Sequence, residues 1–306
     1  MKYYLKKMIN SLIMPSKILN YINELKYLNF QTTFIHEGNT NIKIPKVNIL
    51  DGLTKPGRNR IFQAYLFSGR PRKEVLLRKI VFDLFQNNFL DKDNSIIDIG
   101  CWIGDNSLVW SKLLYEGKVF AIDPIKEAIE YASLSATINN INNIDFRNVV
   151  CSDVSGISLV PTGVQGGISF SAASFETDYK STTIDKTIPE NEHGSISLFH
   201  IDVEGFEEKV ILGAMKVISR SRPVVIYERH ISSEDTAPIE NILKGLDYEI
   251  YMVNEVLPGN DHDCRNFVAF DKRKDIPKFN DVKNFEGRKN DIWYATLGPS
   301  LVKVYS

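Results

Sequence analysis

The groups best able to do chemistry in this chain close two apolar runs. Residues 96–104 read Ile-Ile-Asp-Ile-Gly-Cys-Trp-Ile-Gly, and residues 119–123, after a stretch long enough for one helix, read Val-Phe-Ala-Ile-Asp. A short strand carrying Asp98 runs into a turn with Gly100 and Gly104, a spacing that lets backbone approach a ligand where a Cβ would intrude. The next strand ends in Asp123, and in doubly wound α/β folds an acid at that position accepts hydrogen bonds from ribose hydroxyls. Together these residues describe a pocket for an adenosine.

What lies over the glycines separates the candidate ligands. A dinucleotide fingerprint needs Gly-x-Gly-x-x-Gly, because the pyrophosphate rests against a helix N-terminus with backbone on every side. Here Trp102 stands at the middle glycine, where its bulk obstructs a pyrophosphate, and the carboxylate of Asp98 repels phosphate. A ligand carrying positive charge suits the two acids better. S-adenosylmethionine has an ammonium, a sulfonium and an adenosine, so it is the expected cofactor; NAD and a glycine turn without any ligand are the competing readings. On the favoured reading Asp98, Gly100, Trp102 and Gly104 hold the methionine part and Asp123 the ribose. Ser152 and Asp153, after the third strand, reach toward adenine, with turn formation before Gly156 as the other explanation for Asp153.

The second run, residues 199–207, reads Phe-His-Ile-Asp-Val-Glu-Gly-Phe-Glu. Strand alternation puts His200, Asp202 and Glu204 on one side if the extension persists. Ligands of open α/β sheets bind outside the carboxyl ends of the strands, which brings these acids to the same crevice as the glycine turn. Asp202 or Glu204 could orient an acceptor hydroxyl, take its proton, or bind a divalent cation that assists; helix capping is the plainer alternative for Glu204. The following strand ends with Glu228 and His230 at the same rim. Asp202, Glu204, Glu228 and His230 would suit Mg²⁺ or Mn²⁺, so a divalent metal stays open as a second cofactor. His230 could serve alone as a general base, given an unperturbed pKa of about 6.5, or cap a loop at the surface. His200, deeper in its strand, reads as a hydrogen-bonded core histidine.

The elements that must position these groups alternate. Strands over 96–99, 119–122, 144–150, 196–201 and 224–227 are separated by helical patterns over 106–115, 125–139 and 207–218, which predicts an α/β fold with a mostly parallel, doubly wound sheet. A helix over 238–246 and strands over 248–253 and 267–270 complete it, the last two as an antiparallel hairpin at the edge. Residues 1–74 read as an extension with a helical pattern over 18–28 and β-like pieces over 32–35 and 42–49. The main domain spans 75–272, entered by a helix within 73–89, and residues 273–306 form a tail that folds back on the core. The Gly- and Ser-rich stretch 161–174 reads as an exposed loop.

With 306 residues, 43% hydrophobic and 25% charged, the chain can bury a full core. A formal net charge of −1 and a pI near 6.5 supply no basic field for nucleic acid or an anionic membrane. Three cysteines without Cys-x-x-Cys spacing argue against a disulfide framework or thiolate zinc site, and for a reducing, cytoplasmic setting. The basic and apolar residues 1–14 do not read as a signal peptide, and no stretch approaches the roughly 20 apolar residues of a membrane span. A homo-oligomer is compatible with all of this.

At these residues the chain resembles the FkbM family of S-adenosylmethionine-dependent methyltransferases. The resemblance covers about residues 95–270. It rests on Asp98-Ile-Gly-Cys-Trp-Ile-Gly104, Ala121-Ile-Asp-Pro124, Val150-Cys-Ser-Asp153, Thr182-Thr-Ile-Asp185, Ile201-Asp-Val-Glu-Gly205, Lys209-Val-Ile-Leu-Gly213 and Pro223-Val-Val-Ile-Tyr-Glu228. It implies a seven-stranded class I methyltransferase sheet with the last strand antiparallel, and methylation of a hydroxyl oxygen on a small-molecule or glycan acceptor, such as a precursor of surface polysaccharide. The chain departs from the family pattern at Cys101, at Trp102 where Asn is common, and at Asp123 where Glu is usual. A noncatalytic cofactor-binding module and a nucleotide-sugar or NAD-dependent enzyme are the other classes.

Overall fold

The computed structural model describes residues 32–37, 40–45, 75–163, 168–231, 237–256, 263–276, 294–295 and 301–305. The expected elements over 1–14 and 18–28 lie outside them. Two short strands, β1 (Thr32–Glu37) and β2 (Thr40–Pro45), form a sheet of their own. The large sheet belongs to a unit of residues 35–42 and 70–306.

That sheet is built from strands whose sequences are nearly continuous apolar runs, as burial on both faces requires. Every residue of β3 (Ser95–Ile99), β4 (Val119–Ile122) and β10 (Ile196–Ile201) is buried. With β5 (Ile144–Arg147), β11 (Val224–Ile231), β12 (Tyr248–Val253), β14 (Asp263–Asp271) and β16 (Leu301–Tyr305), they lie in the order β16-β12-β14-β11-β10-β3-β4-β5. The five strands from β5 to β11 are parallel, and β14 runs antiparallel between β11 and β12. This is the class I methyltransferase sheet with β16 added as an eighth strand, antiparallel to β12. The chain leaves β3 toward β4 on one side and returns through β10 on the other, so the switch point, where such sheets bind ligands, falls between β3 and β10.

Helices α1 (Val75–Gln86), α2 (Asp105–Ser111) and α3 (Lys126–Ile138) fall within or close to the expected spans. Three expectations are corrected. The strand expected over 144–150 is two strands: β5 stays in the large sheet, while β6 (Val150–Cys151) leaves it for a four-stranded sheet in the order β6-β9-β7-β8. The loop expected over 161–174 is mostly the hairpin of β7 (Ser158–Gly163) and β8 (Ile168–Ala172), with β9 (Tyr179–Thr182) on the other side of β7. Leu159 and Phe170 give that hairpin a buried face against Phe206, a long-range contact that its Gly and Ser content conceals. The helix expected over 207–218 breaks into α5 (Glu207–Leu212) and α6 (Met215–Ser221). Before α5 lies the short helix α4 (Ile184–Thr187), whose Asp185 carboxylate accepts from the amides of Lys216 and Val217 and so caps α6. A Cβ on Gly213, at the break, would lie 2.1 Å from the carbonyl oxygen of Ser152. Helix α7 (Pro238–Gly245) precedes β12, and the tail pairs once more through β13 (Glu255–Val256) and β15 (Tyr294–Ala295). Among the described residues no helix is long and apolar enough to cross a membrane.

Candidate active site

The glycine turn is shaped by the protein's own backbone. Gly100, Trp102 and Gly104 all have positive φ, at 77°, 45° and 76°. A Cβ on Gly100 would lie 1.7 Å from the carbonyl oxygen of Asp202, and one on Gly104 would lie 2.9 Å from the Cβ of Ala132 in α3. The first glycine therefore lets the end of β10 cross the turn, and the second lets α2 start against α3. Trp102 has no such freedom, yet it holds the left-handed conformation, and its amide donates to Asp123 Oδ2 at 2.9 Å.

Asp123 is 6% exposed. Its other oxygen accepts from the Ile125 amide at 2.7 Å, and its carbonyl accepts from the side-chain amide of Asn148 at 3.0 Å. Burial pushes its carboxyl up to about 6, against the lowering effect of those two amides. Asn148, which the sequence reading missed, ties the end of the third parallel strand to this acid. Ser152 is buried and donates to Asp153 Oδ1 at 2.9 Å, while Asp153 is exposed.

Asp98 lies behind the turn with no exposed surface. Ser107 Oγ donates to its Oδ2, and His200 Nδ1 lies 2.8 Å from its Oδ1. The two strands place Asp98 directly beside His200, and the edge of the Trp110 ring closes on the imidazole with centroids 5.1 Å apart. His200 is thus the core histidine expected from its place in the strand. Asp98, with both oxygens engaged in the core, acts on the turn through the groups it holds.

The acid loop starts where β10 meets the turn, the Asp202 amide donating to the carbonyl of Ile99 at 2.9 Å. Glu204 and Gly205 then adopt φ of 54° and 96°. The carboxylate of Glu207 accepts from the amides of Val203 and Gly205 at 3.0 to 3.1 Å and holds this bend. Capping, weighed for Glu204, is the work of Glu207, which the sequence reading missed. An acid at the start of a helix, three residues after the bend, is the signal that could have found it. Burial raises its carboxyl, and the nearby Glu228 adds to this.

With Glu207 occupied, Asp202, Glu204 and Glu228 come together: each offers an oxygen, all within 4.8 Å of one another, and all three residues are partly buried. Three carboxylates this close favour a shared proton or a cation. His230 continues β11, its backbone opposite Cys264, rather than opening a loop as expected; its side chain lies outside the described residues. An open groove of about 610 Å³ runs along β7 and β9, lined by Pro161, Phe175, Tyr179 and Lys180 among others, and it includes none of the residues above.

The family model "Methyltransferase FkbM domain" matches residues 98–250, half of the chain. An uncharacterized RNA methyltransferase of Oceanobacillus iheyensis is 42% identical over 57 residues, which is 19% of this chain and 12% of that protein. Among solved structures, methyltransferase FkbM from Methylobacillus flagellatus aligns at TM-score 0.41 and 14% identity over 72% of this chain and 57% of its own. Trm5b from Pyrococcus abyssi aligns at 0.40 and 12% over 79% and 55%. The chain spans only part of the length of each of these proteins.

Proposed function

The chain belongs to the FkbM methyltransferase family, and from that premise we propose that it is an S-adenosylmethionine-dependent O-methyltransferase acting on a hydroxyl of a sugar or glycan precursor in the cytoplasm. The observation that carries this reading is the contact between the glycine turn at Gly100 and the loop bearing Asp202, Glu204 and Glu228. A cofactor on the turn has its methyl group beside a set of carboxylates suited to an alcohol.

In this mechanism Asp123 accepts from the ribose hydroxyls, and the Gly100 to Gly104 turn with Trp102 receives the methionine part. Asp98 keeps that turn in place from behind. Ser152 and Asp153 face the adenine. The acceptor oxygen attacks the methyl carbon in line: the O–C bond forms, the C–S bond breaks, and its electron pair stays on sulfur as S-adenosylhomocysteine. Asp202 or Glu204 takes the hydroxyl proton, with His230 as the other base, and most of the rate comes from holding the reactants aligned. The same carboxylates, with Glu228, could hold Mg²⁺ or Mn²⁺, which would make the acceptor hydroxyl more acidic.

One observation favours a second reading, methyl transfer to RNA: the short 42% match to an RNA methyltransferase. The net charge of −1 weighs against it. Calorimetric titration with S-adenosylhomocysteine beside NAD, followed by transfer of labelled methyl to nucleotide sugars, oligosaccharides and total RNA, separates the readings. Binding of S-adenosylhomocysteine with label in carbohydrate is expected. Label in RNA alone replaces the acceptor, binding without any transfer leaves a noncatalytic module, and NAD binding in its place removes the methyltransferase reading.

A further inference from the structure

We propose that Arg78 is a positioning residue of the cofactor site: from α1, upstream of the segment that the family model matches, it holds the first turn of α2 and thereby the conformation of the glycine turn. The inference rests on the cofactor reading above.

The Arg78 side chain is fully buried. Its Nε donates to Asn106 Oδ1 at 2.7 Å, and one terminal nitrogen donates to Asp105 Oδ2 at 2.5 Å. Asp105 and Asn106 are the two residues that follow Gly104, at the entry to α2, where no side chain makes a capping hydrogen bond. Burying a guanidinium is costly, and its planar fork recovers that cost only where acceptors are fixed to match it. The fork therefore pins both residues at once.

Their placement passes directly into the turn. The Leu108 amide donates to Gly104 at 2.8 Å, and the Gly104 amide donates back to Cys101 at 2.7 Å. Gly104 is wedged against Ala132, and Trp102, between Cys101 and Gly104, is tied to Asp123. A shift of Asp105 and Asn106 thus moves the backbone from Cys101 to Gly104 against the ribose acid. Helix α1 belongs in this way to the cofactor site, although it precedes both Asp98 and every motif of the family.

The test compares full-length wild type, Arg78→Met, Arg78→Lys, Asp105→Asn, the double variant Arg78→Met/Asp105→Asn, and Arg222→Met. Melting temperature and the calorimetric dissociation constant for S-adenosylhomocysteine are measured for each, the latter where all are folded. Arg222 pairs with Asp271 at the amino-terminal end of β11, away from the turn, and controls for loss of an ion pair. Expected are at least tenfold weaker binding in Arg78→Met, partial recovery in Arg78→Lys, no further loss in the double variant over its worse single, and unchanged binding in Arg222→Met despite a lower melting temperature. Wild-type affinity in Arg78→Met overturns the proposal. If that variant does not fold, wild-type affinity in both Arg78→Lys and Asp105→Asn overturns it instead. A folded wild type that fails to bind S-adenosylhomocysteine removes the cofactor reading and this inference with it.

Discussion

The carbonyl oxygen of Asp202 occupies the place of the missing side chain of Gly100, 1.7 Å from where a Cβ would be. The turn that receives the cofactor and the loop that faces the acceptor are therefore one packed unit. Gly100→Ala must move backbone as well as adopt positive φ, and it is expected to destabilise the protein by at least about 2 kcal/mol. Thermal unfolding of the variant checks this; a melting temperature within one degree of wild type would show that the two segments can part freely.

Asp123 has a carboxyl raised to about 6 by burial, from about 3.9 in an unfolded chain. The folded state then binds the proton more tightly, so this residue's contribution to stability is greatest below about pH 4 and is lost as pH rises through 6, by up to roughly 2.7 kcal/mol. Ribose hydroxyls donate to the ionised form, so affinity for S-adenosylhomocysteine moves the other way and weakens as pH falls through 6. Asp123→Asn is expected to flatten both dependences and to weaken binding about tenfold at neutral pH, about 1.4 kcal/mol. Denaturation and calorimetry at pH 5 and pH 7.5 measure both; a wild-type profile in the variant would contradict the assignment.

Glu207 accepts from the amides of Val203 and Gly205 and so keeps Asp202 and Glu204 at the rim. Glu207→Ala leaves those amides unsatisfied, at a cost of about 1–3 kcal/mol. Methyl transfer should fall more than tenfold while S-adenosylhomocysteine binds within threefold of wild type, because the cofactor turn is not touched. Equal losses in binding and transfer would instead make Glu207 part of the cofactor site.

Asp202→Asn and Glu204→Gln remove the carboxylates nearest the acceptor. The residue that takes the proton should show a loss of turnover of about 10² to 10⁴ with cofactor affinity retained. Turnover that survives chelation assigns the carboxylates to the proton, and turnover lost to chelator and restored by Mg²⁺ assigns them to a cation. Unchanged turnover in both variants would shift the base to His230.

What could be read along the chain was whatever depends on neighbours in sequence. The apolar runs of β3, β4 and β10 predicted buried parallel strands, the alternation with helices predicted the doubly wound order, and the Asp98 to Gly104 and Asp202 to Gly205 runs located the two halves of the site. Periodicity carries this much because burial of a strand or helix face is set by local spacing. The tertiary structure alone decided which groups meet. It paired Asp98 with His200, set Arg78 on Asp105 and Asn106, turned the Gly- and Ser-rich 161–174 segment into a hairpin on Phe206, and added β16 to the sheet. Each of these joins residues far apart in sequence, and the partner of a buried polar or apolar group is selected by which surfaces the whole fold brings together, a choice that leaves no period in the chain.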